Sequence, residues 1–185
     1  DGDEVEPWVE APVGVDESYP TGTRGSAPPV EAALYPETQR AFESDIEVLH
    51  QNEPLWPNDD DVALRERIMT GSLALDIVPP PGDEAIRAFR EGDSLARSPV
   101  PAISGRRAQA WVRAAHLAPW WPLPYRRLAN VAVAERDFAA AETCVRVVLA
   151  GRPNDESAAA LMRRARQLRL AEGRDARSTR GKNSN

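Results

Sequence analysis

Trp111, Ala114 and Pro119 are echoed thirty-four residues later by Val145, Val148 and Pro153. That recurrence constrains the fold more than composition does. In each copy the two apolar residues stand three apart, the spacing of neighbours on one helix face, and the proline ends the helix. A helix of ten to fifteen residues uses less than half of such a period. The remainder must be a second helix returning alongside the first, so the repeating unit is two helices and a turn.

Residues 122–155 carry the fuller copy. Tyr125 opens it, Leu128 and Ala129 follow as an adjacent pair, and Ala132 comes one turn later. Asp137-Phe138 reads as the start of a second helix, in which Ala141, Val145 and Val148 share a face before Pro153 closes the unit. Two helices approach to about 8–10 Å when small residues stand at the crossing, and Ala129 and Ala141 are small. In period and in these residues the segment resembles the tetratricopeptide repeat family. Tyr125 takes its first aromatic position, Leu128-Ala129 its Leu-Gly pair, Ala132 its second aromatic position and Val145 another aromatic one. Arg136 stands where a turn glycine is usual. The resemblance covers about 70 residues, one good repeat and one degraded repeat before it. That earlier copy has a second helix over about 104–118, with its first helix displaced by the proline-containing loop around Pro99 and Pro101. It implies an all-α fold of antiparallel helical hairpins, a short α-solenoid. A further helix over about 155–172 would be its terminal cap, with Asp155 capping it, Ala159, Leu161 or Met162, Ala165 and Leu168 on one side, and Gly173 ending it.

Upstream, three more helices are expected over residues 36–101. The first begins at Pro36, where a missing N–H costs nothing, and places Phe42, Ile46 and Leu49 on one face. Asn52 to Pro57 breaks it. The second, about 60–77, follows Asp59, Asp60 and Asp61, which suit the positive end of a helix dipole. The triplet Pro79, Pro80 and Pro81 stops it. Asp83 can cap the third, running to about Leu95 with Ile86 and Phe89 inward, and Ser104 can cap the next.

The ends read differently. Residues 1–35 form an extended, acidic, proline-rich arm with no helical period. Residues 1–31 hold eight acidic groups against Arg24 alone, and five of the 17 prolines lie in the first thirty residues. Such a segment buries too little apolar surface to order itself. The helical unit with its cap then spans 102–173, and 174–185 is a basic polar tail. From residue 157 onward eight basic groups face only Glu172 and Asp175, although the net charge is −6. The first residue is Asp. Removal of a signal peptide would explain it and would place the chain outside the cytoplasm, periplasmic and peripheral to a membrane; the alternative is a trimmed cytoplasmic chain. No apolar run approaches the ~18 residues of a membrane span.

No constellation for catalysis emerges. Glu47 and His50 have the Glu-x-x-His spacing of di-iron bundles, but a second pair is missing because His116 has Arg113 three residues before it. Asp59 to Asp61 lack the glycine of a calcium loop. Gly181-Lys182 lacks the upstream glycine of a phosphate loop. Cys144, the sole cysteine, has no neighbouring histidine and faces a helix seam. Neither a metal nor a cofactor is expected, and the chain does not read as an enzyme.

What remains is contact with other proteins. Trp8 and Trp56 sit between prolines in extended segments, suited to anchoring in a partner's pocket or to folding back on the chain's own helices. Of Trp120 and Trp121, one is expected in the core and the other at the edge of a groove. Arg163, Arg166, Arg174 and Arg177 can meet an acidic protein surface or anionic lipid. A net negative chain with few interleaved aromatics argues against nucleic acid. The expectation is a non-catalytic scaffold, an extrinsic stabilising or assembly subunit of a larger complex, membrane-embedded or not. The alternative is a free-standing peptide receptor or assembly chaperone.

Overall fold

A computed structural model describes residues 36–57, 61–75, 80–97 and 104–182. The 1–35 arm with Trp8, the aspartates Asp59 and Asp60, and prolines Pro79, Pro99 and Pro101 lie outside the described residues. Those residues form seven helices and no strand: α1 (Pro36–His50), α2 (Val62–Leu75), α3 (Asp83–Ala96), α4 (Ser104–Leu117), α5 (Pro122–Ala134), α6 (Phe138–Gly151) and α7 (Glu156–Lys182). The fold is all-α, made of helical pairs stacked side by side. α1 packs on α2, α3 on α4 and α5 on α6, while α7 lies on α6. α4 meets α5 and α2 meets α6, which joins the pairs into one body.

The 34-residue recurrence is visible directly. α4 and α6 are both 14 residues long and begin 34 positions apart, at Ser104 and Phe138. The first helix of the earlier pair is expected to be displaced by the proline-containing loop. It is α3, which packs against α4 across a connection longer than the one in the next pair. That longer connection is why the recurrence fades upstream.

The α5–α6 pair shows how a three-residue connector reverses the chain. The Asp137 N–H donates to Ala132 O at 2.8 Å and the Arg136 N–H to Val133 O at 3.1 Å, so two carbonyls at the end of α5 are satisfied. This pattern needs a left-handed residue, and Arg136 supplies it at φ 63°. Asp137 then turns to the next helix, accepting from the Ala140 N–H at 3.0 Å. The anticipated helix start is there. Tyr125, Leu128, Ala129, Ala132, Phe138, Ala141, Val145 and Val148 are all buried in this unit, and Pro153 is exposed in the turn that follows. Ala132 and Ala141 join Ala165 of α7 in one small-residue cluster, where three helices meet.

Upstream, Phe42 and Leu49 of α1 are buried with Ile68 of α2, and Ile46 is half-buried beside them. Two boundaries differ from expectation. Gly82, not Asp83, is the N-cap of α3, and it offers no side-chain bond; Asp83 occupies the first turn instead, where its charge favours the helix dipole. Gly173 does not end α7, because no glycine among the described residues adopts the left-handed conformation of a helix terminator, and the helix runs on to Lys182. The expected polar tail is therefore largely helix. On α7 the inward face is set by Ala158, Met162 and Ala165, with Ala159, Leu161 and Leu168 only half-buried.

Candidate functional site

The turn between α6 and α7 builds a cleft with an apolar floor. The Arg152 N–H returns to Val148 O, ending α6. Asp155 caps α7 as anticipated, accepting from the Ala158 N–H at 3.0 Å through Oδ1. Its Oδ2 pairs with Arg126 of α5. Burial alone would raise the Asp155 carboxyl, but the Ala158 N–H and the Arg126 guanidinium outweigh it and hold the pKa below the usual range. One carboxylate thus fixes both the direction of α7 and its distance from α5.

Between the two helices lies an opening of about 290 Å³. Val145 and Val148 of α6 form its floor with Ala158 and Leu161 of α7. Arg126 and Asn130 edge it on the α5 side, Ser157 and Arg164 on the α7 side. The arrangement offers apolar depth to a side chain beneath a polar rim on which Arg126 is already paired with Asp155. A second depression, on α3 and α4, is edged by Glu84, Arg87, Glu91 and Arg113. Its charges are partly spent on each other, since Arg113 pairs with Glu84.

The tryptophans divide. Trp121 is in the core, its ring 4.7 Å from that of Phe89. Trp120 is half-buried, 5.9 Å from the Phe42 ring, under α1 and not at the edge of the α5–α7 cleft. Trp56 is half-buried against the apolar core and against the Ala132–Ala141–Ala165 cluster, so in this chain it folds back on its own helices. Among the arginines, Arg163 and Arg174 are exposed, while Arg166 and its neighbour Arg169 lie 3.6 and 3.2 Å from Glu142. The side chain of Arg177 lies outside the described residues.

Two polar features were not foreseen. Arg65 of α2 is 1% exposed. Its Nε donates to Asp61 at 2.8 Å and a terminal nitrogen donates to the Tyr125 hydroxyl at 2.9 Å. Asp61, expected only to favour the start of α2, is the counter-ion of this buried guanidinium. In sequence the signal was present but ambiguous, because an Asp four residues before an Arg is also ordinary surface pairing. The other feature is a histidine contact: His50 Nε2–H donates to His116 O at 2.7 Å, with ring centroids 5.2 Å apart.

Cys144 is fully buried, and burial pushes its thiol up to about 12, far from nucleophilic use at neutral pH. Among the described residues no three His, Cys, Asp or Glu side chains converge as metal ligands, and no helix is long and apolar enough to cross a membrane. Comparison with protein-family models, curated proteins and solved structures returns no match.

Proposed function

We propose that this chain is a non-catalytic protein–protein interaction module of tetratricopeptide type, and that it holds a partner segment in the cleft between α5 and α7. The observation that carries this reading is the composition of that cleft: an apolar floor of Val145, Val148 and Leu161 beneath a rim of Arg126, Asn130, Ser157 and Arg164. Its volume, about 290 Å³, is at the small end for cofactor and small-molecule sites, which run to about 1,000 Å³. It suits one or two side chains of an extended segment, with acidic groups drawn to the guanidiniums.

A lasting seat as an extrinsic subunit of a larger assembly, membrane-embedded or not, uses the same cleft. That version draws further contact from Trp8 and from the basic end of α7, and a periplasmic location goes with it. A free-standing peptide receptor or chaperone differs only in how long the segment stays.

The test is a photo-crosslinking residue placed at Asn130, with Gln109 on α4 as the exposed control, in cells that make the chain. A discrete protein adduct from position 130, absent from 109 and abolished by Leu161→Asp, supports the reading. The same adducts from both positions, or none from 130, contradict it.

A further inference from the structure

The end of α1 is fastened to the end of α4 by two imidazoles. His50, in the last turn of α1, reaches across to the His116 carbonyl, and the two rings tilt against each other at 48°. His50 is exposed. His116 is 8% exposed, and its Nδ1 is buried with no hydrogen-bond partner. Besides this fastening, α1 is held by Phe42 against Trp120 and by Leu49 against Ile68. The Asp45–Arg67 ion pair lies on its exposed side.

The charges facing His116 come from several helices. From α1 there is His50, and from α2 the cation Arg65, already committed to Asp61 and Tyr125. From α5 the Tyr125 hydroxyl donates to Ala115 O, next door, at 3.4 Å. The carboxylates of α3 are engaged elsewhere, Glu84 with Arg113 and Asp93 with Trp111 and Arg127. A proton on His116 therefore enters a buried place that already faces the Arg65 guanidinium.

We infer that α1 is an acid-releasable clasp, held down at neutral pH by the His50–His116 contact and let go as the medium acidifies. Lifting α1 brings the His116 ring to water and removes His50 from its neighbourhood. It also bares Trp120 and the apolar face of α2 around Ile68. The direction of titration agrees: burial first, then His50 and Arg65, hold the His116 imidazole below its ordinary value. The closed state binds fewer protons than the open one, so acid favours opening. The effect begins as pH falls through about 6.5 and grows by at most tenfold per unit.

Hydrogen exchange tests the clasp. Amides of residues 36–50 and 138–151 are compared at about pH 7.5 and about pH 5, after correction for intrinsic exchange. At the lower pH α1 is expected to lose about tenfold or more of its protection while α6 keeps its own. His116→Phe, of similar size and unable to titrate, is expected to abolish the difference, and Asp45→Asn to preserve it. If His116→Phe does not fold, His50→Gln keeps a donor to the carbonyl but removes one of the groups that hold the His116 value down, and a smaller loss of protection is expected. Equal change in α1 and α6, no change in either, a wild-type response in His116→Phe, or an undiminished loss in His50→Gln overturns the inference.

Discussion

Gly92 of α3 and Trp111 of α4 meet so closely that a Cβ on residue 92 would stand 2.4 Å from the indole Nε1. The same nitrogen donates to Asp93 Oδ1 at 3.2 Å, so the ring is fixed as well as pressed. In a helix, Gly→Ala ordinarily stabilises by about 0.5–1 kcal/mol. Here the methyl has nowhere to go, and Gly92→Ala is expected to cost about 1–3 kcal/mol. Gly173 of α7 has open space at its Cβ position, and Gly173→Ala is expected to show the ordinary gain. Urea denaturation of both variants gives the two signs.

The small-residue cluster where α5, α6 and α7 meet is sensitive in the same way. Ala141 is fully buried there beside Ala132 and Ala165. Ala141→Leu inserts three carbons between packed helices and is expected to lower stability by about 1–3 kcal/mol. A melting curve equal to that of the parent protein would show that the helices do not approach at this residue.

Arg136 pays a backbone cost that glycine avoids. Its left-handed conformation is worth roughly 1–2 kcal/mol of strain in a residue with a Cβ. Against this stands an exposed ion pair with Glu172, at 2.7 Å, worth about 0.2–1 kcal/mol. Arg136→Gly is therefore expected to leave stability unchanged or raise it by up to about 1 kcal/mol, read from the denaturation midpoint.

Arg65 is the polar group on which the docking of α2 depends. Arg65→Met removes a buried cation and strands the Asp61 carboxylate and the Tyr125 hydroxyl, at an expected cost of about 3–5 kcal/mol. Tyr125→Phe removes one hydrogen bond and keeps the ion pair, and is expected to cost about 1–2 kcal/mol. Arg65→Lys is expected to fall nearer to Met than to wild type, because an ammonium cannot span both partners with the fork of a guanidinium.

What was legible in the sequence is what has a period. The faces of α1 and of the α5–α6 unit follow from residue spacing, and so does the offset between α4 and α6. The cap at Asp155 follows from a side chain that bonds its own helix. Contacts between distant segments leave no such trace. Nothing near Gly92 in sequence indicates Trp111, and Arg65 reads as one surface arginine among many until α5 is brought against it. The extent of α7 was misjudged because a glycine is only a permissive terminator: without the left-handed turn, the helix continues through it. The α5–α7 cleft was not legible: Arg163, Arg166, Arg174 and Arg177 were the arginines expected to bind, and the meeting of Arg126, Arg164 and Leu161 depends on the turn at Arg152–Asp155.

Panning a phage-displayed library of random short peptides against the chain tests the α5–α7 cleft most directly. Enriched peptides are expected to carry an acidic side chain close to an apolar one, matching Arg126 and Arg164 above Leu161. Their binding, measured by titration, is expected to weaken by tenfold or more (about 1.4 kcal/mol) in Arg164→Glu and in Leu161→Asp, and to be unchanged in Arg87→Glu on α3. No enrichment, or enriched peptides that bind both cleft variants as tightly as the wild type, would contradict the proposed function.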